Sequence, residues 1–281
     1  MITIFRYALG RLRGQILGWG IGLGLYAMAM ALFYDSMADQ RDLLEQYMQS
    51  LPRELFAFLG GATEIFTPAG YLTLEFYSYM PLILGIFVIL TASGLVAAEE
   101  ENGQLDLVLA HPVSRRALFF GRLLAFLLAT VATLALTWLG FVLIVGRTTL
   151  GLSPVELAAP LVSLFALLVF FGALALALSQ LLPSRRLAAM VAGLVLVGSF
   201  FLTSLARLNE SLERLAPLSP MNYFQTGDAM NGLKLDWLAV LLGAALVFAL
   251  IAWWRFERRD IRVAGEGSWA LAWPRRAEEA G

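Results

Sequence analysis

Residues 99–116 read EEENGQLDLVLAHPVSRR, a charged stretch set between two long apolar runs at about 76–98 and 117–145. An apolar run of about 18 residues or more is long enough to cross a bilayer as a helix. The charged stretch is therefore a connector between two membrane spans, and its position sets the fold class. Composition agrees. Of 281 residues, 59% are hydrophobic and only 15% are charged, whereas a soluble domain carries about 25% charged residues. The class is an all-α polytopic membrane protein.

Working outward, six spans are expected, at about 14–34, 76–98, 117–145, 157–182, 187–205 and 237–254. Ahead of the first, residues 1–13 alternate Ile2, Ile4, Phe5, Leu9 and Leu12 with arginines, which suits a short helix lying in the membrane interface. Span one lacks a small-residue cleavage site and is expected to be retained. Its Gly18, Gly20, Gly22 and Gly24 either let a neighbour approach closely or are merely tolerated there. Pro81 in span two frees a backbone carbonyl and predicts a kink. Thr130, Thr133 and Thr137 form a polar stripe on span three, facing a pore or bonded back to their own helix. Pro183-Ser184-Arg185-Arg186 makes a tight turn between spans four and five.

Between spans one and two, residues 35–75 are polar and acidic. The spacing of Leu44, Tyr47, Met48 and Leu51 predicts an amphipathic helix over 42–51, and Pro52 starts a second short one over 53–59. This segment reads as a solvated cap or a substrate vestibule. Trp237 at one end of span six and Trp253-Trp254 at the other fit interfacial aromatic belts.

Orientation follows from the basic residues. Arg6, Arg11, Arg13, Arg115, Arg116, Arg122, Arg185, Arg186 and six tail arginines fall on one side of the six-span layout, 14 of the 20 basic residues. The positive-inside tendency then places both termini and the 99–116 loop in the cytoplasm.

Several chemistries are excluded. The only lysine, Lys234, is not in the GK[ST] context of a Walker A loop, so the chain is not expected to hydrolyse ATP itself. A single histidine, His111, and no cysteine leave no basis for a His/Cys metal site or a Ser/His catalytic pair. Near-zero net charge gives nucleic acid no electrostatic footing. The spans hold almost no ionisable residues, with Glu75 placed at an outer edge, which argues against an ion-coupled carrier. What remains is a bundle that a separate subunit must drive.

In the connector, residues 99–109 are expected to form a short helix with Leu105, Val108 and Leu109 on one side. Pro112 ends it and Ser114 caps span three. The run Glu99-Glu100-Glu101-Asn102-Gly103-Gln104-Leu105, then Leu107-Val108-Leu109-Ala110, then Pro112-Val113-Ser114-Arg115-Arg116, resembles the first cytoplasmic loop of ABC-2 type transporter permeases. Gln104 stands where the family usually has Thr. Residues 51–55 (LPREL), 67–71 (TPAGY) and Arg258-Arg259-Asp260 resemble single-domain members of the same family.

The resemblance implies one transmembrane domain over 1–264 and a cytoplasmic tail over 265–281. It implies a plasma-membrane permease that pairs with a second permease chain, identical or homologous, and with two copies of a cytoplasmic ABC ATPase. ATP and Mg would be bound by that ATPase, and no cofactor by this chain. It also implies that the loop couples ATPase closure to the spans. Glu100, Glu101, Gly103, Leu105 and Leu109 would provide fit and force transfer, Pro112 would end the coupling element, and Ser114 and Arg115 would anchor it to span three. Apolar lining suggests export of a hydrophobic or amphipathic solute. The alternative is a non-transporting partner that passes ATPase motion to an extracytoplasmic protein.

Overall fold

The computed structural model describes residues 1–38, 67–103 and 113–258. The two short helices expected within 42–59, the coupling residues Leu105, Leu109 and Pro112, and the tail 265–281 lie outside them. The elements are α1 (Ile2–Ala38), α2 (Pro68–Leu72), a π-helical turn (Thr73–Tyr77), α3 (Met80–Ser93), α4 (Ala97–Glu101), α5 (Arg115–Val145), α6 (Pro154–Leu181), α7 (Arg185–Ala206), α8 (Glu210–Glu213), three 3₁₀ turns between Ala216 and Asn231, and α9 (Leu235–Arg258). There is no strand among the described residues. Five helices are long and apolar enough to cross a membrane, six with the bent pair 68–77 and 80–93 counted as one span. This is the all-α polytopic architecture expected.

Central helix α6 organises the packing. Its sequence is apolar on every side, the pattern of a helix enclosed by others. It packs against α3, α5, α7 and α9, and 72% of its most apolar window is buried, against 22% for α9. A capping box starts it: the Ser153 hydroxyl accepts from the Glu156 N–H at 3.3 Å, and the Glu156 carboxylate accepts from the Ser153 N–H at 2.6 Å. Ser114 and Ser184 cap α5 and α7 by the hydroxyl alone, accepting the N–H of Ala117 and of Leu187. Phe76 meets Tyr77 and Phe141 edge-to-face inside the main core.

Three expectations are corrected. First, residues 1–13 do not form a separate interfacial helix. They are the first turns of α1, one unbroken helix of 37 residues. At 1.5 Å per residue α1 is roughly 55 Å long, well beyond a hydrocarbon core of about 30 Å, so its arginine-bearing turns extend past the membrane as a continuation of span one.

Second, the run expected as span two is not one continuous helix: it falls in a helix pair, 68–77 and 80–93, bent by 40°. Pro81 is the cause: it cannot donate and its ring crowds the preceding turn. The chain therefore breaks at Ser78-Tyr79 and restarts with Pro81 in the first turn of α3. A π-turn precedes the break, the Ser78 N–H bonding Thr73 O at 2.9 Å. Glu75 lies on that turn and is half-buried. Third, Arg122 lies within α5 and is buried.

The threonine stripe resolves to its bland reading. Thr130, Thr133 and Thr137 are buried and donate to the carbonyls of Phe126, Ala129 and Thr133 on their own helix, at 3.0, 2.9 and 3.0 Å. The glycines of α1 divide. Gly20 and Gly24 meet α5 at Leu136 and Gly140, while Gly18 and Gly22 have nothing within 4 Å of an added Cβ.

The polar ties between elements sort the helix ends into two sets. At one end Asp35 Oδ1 accepts from the N–H and hydroxyl of Thr149, at 2.8 and 2.6 Å. The Gly227 N–H there reaches Thr73 Oγ1 at 2.8 Å. At the other end the start of α1, α4, the starts of α5 and α7 and the end of α9 converge. This second, arginine-rich end is where residues 99–116 leave and re-enter the bundle.

Candidate functional site

At the arginine-rich end the chain turns out of α3 at Gly94 and forms the one-and-a-half-turn helix α4. Asn102 caps α4, and Gly103 follows with φ +67°. This left-handed conformation costs glycine least and stops the helix. The helix expected to run unbroken from 99 to 109 therefore ends at Glu101.

Glu99 is the hub. It is only 7% exposed, and its two oxygens hold arginines from two other helices. Oε1 takes Arg11 Nη1 of α1 at 2.8 Å, and Oε2 takes Arg122 Nη2 of α5. Arg122 is 5% exposed and donates its other arm, Nη1, to the carbonyl of Leu95 at 2.8 Å. A buried charge is tolerated only when paired and hydrogen-bonded, and each member here meets that condition. Beneath lies a small apolar cluster including Val96, Leu118, Phe119, Leu176 and Phe256.

Glu101 reaches a third helix. Its Oε1 accepts the backbone N–H of Arg185 at 2.8 Å, and its Oε2 pairs with Arg185 Nε at 3.2 Å. The carboxylate thus sits at the N-terminus of α7, where unpaired N–H groups and the helix dipole favour an anion.

On the returning side Ser114 Oγ accepts the Ala117 N–H at 3.2 Å. Arg115 Nη1 donates to the carbonyls of Phe256 and Glu257, both at 3.4 Å, in the last turn of α9. Arg116 Nε pairs with Glu257 Oε1 at 2.8 Å, and its guanidinium lies 5.9 Å from the Trp253 ring centroid. The residues flanking 104–112 are therefore bonded to α1, α5, α7 and α9, and joined covalently to α3. These are all the long helices but α6, the core the others pack on.

Among the residues singled out from sequence, Glu101, Gly103, Ser114 and Arg115 are brought together at this end. Glu100 is there too, and is buried. Leu105, Leu109 and Pro112 are outside the described residues. Sequence reading missed Glu99 as hub, together with Arg11, Arg122, Arg185 and Glu257. Arg122 carried a usable signal: a charge in an apolar helical run demands a partner of opposite sign, and the nearest carboxylates in the chain were Glu99, Glu100, Glu101 and Asp106. Among the described residues no three His, Cys, Asp or Glu side chains gather to hold a metal ion.

The contacts differ in weight. The Arg116–Glu257 pair is surface-exposed, so Arg116→Ala is expected to change unfolding stability by less than about 1 kcal/mol. A heat-unfolding series in detergent checks this. A loss as large as that for Glu99 would mean that the cation–π contact or a partner chain adds to the pair.

The family profile described as "ABC-2 family transporter protein" matches residues 11–261. A protein of Bacillus subtilis (strain 168), named as the uncharacterized membrane protein YdbK, is 26% identical over 235 residues, 78% of this chain and 92% of that protein.

Proposed function

Because the chain belongs to the ABC-2 transporter family, we propose that it is the membrane-spanning permease subunit of an ATP-driven exporter of a hydrophobic or amphipathic solute. In this reading it lies in the plasma membrane with the arginine-rich end and both termini in the cytoplasm. It pairs with a second permease chain, and two ATPase subunits that bind ATP and Mg dock on the 99–116 loop. The observation that carries the reading is the Glu99–Glu101 hub. It turns a short connector into a joint between α1, α5 and α7, which is what a driven loop needs in order to move a bundle.

The test is affinity purification from the native membrane with the partner ATPase followed. Leu105→Asp and Leu109→Asp are expected to leave membrane insertion intact and to cut ATPase recovery, or ATP-driven transport, at least about tenfold. That follows if each places a charge in an apolar docking contact costing about 1.4 kcal/mol or more. Normal recovery and normal transport in both variants would sink the coupling assignment.

The bonding at the opposite end favours a second reading. There the Gln225 side chain bonds Lys234 at both its N–H and its carbonyl, and Ser163 Oγ accepts the Gln225 N–H. An end tied this firmly to α6 by buried bonds could pass motion to an extracytoplasmic protein. ATP turnover stimulated only by such a protein, with no solute moved, selects that alternative.

A further inference from the structure

A cleft of about 220 Å³ opens beside the hub, between the first turns of α1, the end of α3 and the starts of α5 and α7. Its polar lining is Tyr7, Arg11 and Gln15 from α1, with Thr91, Glu99, Arg122 and Arg185, and its apolar lining includes Leu12 and Leu90. We propose that this cleft binds the headgroup phosphate of an anionic phospholipid. The proposal does not depend on the ATPase reading above.

Three features carry it. The first is charge. Three guanidiniums line the cleft, and the carboxylates paired with them are Glu99 and Glu101, an excess of one positive charge, which matches a phosphodiester. Arginine presents five donors in a fork. Arg11 spends one on Glu99. Arg185 binds Glu101 through Nε, while its Nη1 lies over Gly94 on the cleft wall, 3.4 Å from where a Cβ would stand.

The second feature is that the site is built. Glu99 and Arg122, both more than nine-tenths buried, fix the floor of the cleft. The Arg11 guanidinium is also held 6.0 Å from the Tyr7 ring.

The third is position. The cleft lies at the end of the spans, where headgroups are. From it an exposed apolar stripe runs along one side of α3 toward the membrane centre through Leu90, Ile86 and Ile83, at the i, i+3, i+7 spacing of one helix face. A headgroup in the cleft would lay an acyl chain on that stripe. About seven water volumes fit the cleft, enough for a phosphate and its glycerol but not for a whole lipid. Basic pockets between membrane helices hold acidic headgroups by this physics.

The test uses the full chain in mild detergent and two readouts, lipid retained in native mass spectrometry and the shift of the melting temperature. The probes are phosphatidylglycerol, phosphatidylcholine and inorganic phosphate. Phosphatidylglycerol is expected to be retained over phosphatidylcholine by about fivefold, the worth of one basic residue at an anionic surface. Arg185→Gln should abolish the preference. So should Gly94→Val, which fills the cleft beside Arg185 while leaving its net charge unchanged and decides the matter if Arg185→Gln does not fold. Arg258→Gln, on Trp254 and away from the cleft, should keep it. Equal retention of the two lipids, or an undiminished preference in Gly94→Val, overturns the proposal. Stabilisation by inorganic phosphate equal to that by phosphatidylglycerol assigns the cleft to a soluble anion and overturns the lipid.

Discussion

Glu99→Ala is expected to destabilise the chain by about 3–5 kcal/mol, because it strands the Arg122 guanidinium in the protein interior. Arg122 has little recourse to water: it is 5% exposed and its second arm is already committed to Leu95 O. Arg11 loses the same partner but is half open to solvent and can rehydrate, so Arg11→Ala should cost only about 1 kcal/mol or less. The asymmetry identifies the interaction that matters. Replacing both members of the buried pair, Glu99→Met with Arg122→Met, should recover most of the loss, since apolar side chains of similar volume substitute well for a buried ion pair. The double variant should nevertheless fail in ATP-driven transport if the pair transmits force. Unfolding curves in detergent for the wild type, Glu99→Met, Arg122→Met and the double variant form a complete cycle. A Glu99→Ala protein that melts with the wild type would show that the hub does not hold this end of the bundle together.

The physics behind the hub explains why it was only half legible in the sequence. Apolar run length located the five membrane-length helices and the bent pair, because the demand for about 20 apolar residues per crossing is local. The ends of α5, α6 and α7 came within three residues of expectation for the same reason, since serine caps are local signals. Pro81 announced the bend in span two, but the site of the break, at Ser78-Tyr79, depended on where the chain could resume a helix. The hub rests on pairings between residues 23 and 88 positions apart. No local pattern encodes these. They arise because antiparallel spans bring distant charges to one membrane face. Charge burial was the only hint, and it lay in Arg122 alone.

The interfacial helix was misjudged for a related reason. Alternating arginines and apolar residues over 1–13 are equally compatible with a helix lying on the membrane and with one rising out of it. What decides between them is Gly121 of α5, where a Cβ would stand 3.2 Å from the Ile4 side chain. That approach keeps the first turns of α1 in line with the rest, and it places Arg11 level with Glu99. The length of α1 is thus part of the site rather than an incidental feature.

The close seam between α1 and α5 gives the other large expected effect. Gly140→Leu should cost about 3 kcal/mol or more, the upper end for overpacking, because the obstacle is backbone. A Cβ on Gly140 would fall 2.1 Å from the Gly24 carbonyl oxygen and 2.6 Å from its Cα. No rotamer change can relieve that, so α1 must move away from α5, its principal neighbour. Small residues at such crossings stabilise membrane helices through close van der Waals packing, since apolar burial gains nothing against lipid tails. Separation would also draw Arg11 from Glu99, so the seam and the hub should fail together. Gly22→Leu is the matched control. It lies on the same helix with open space around it and should leave the chain's own stability within about 0.5 kcal/mol. Unfolding of both variants in detergent, read beside the wild type, decides the point. Equal stability of Gly140→Leu and Gly22→Leu would mean that the crossing does not hold α1 in place, and that this helix is retained by its polar ends alone.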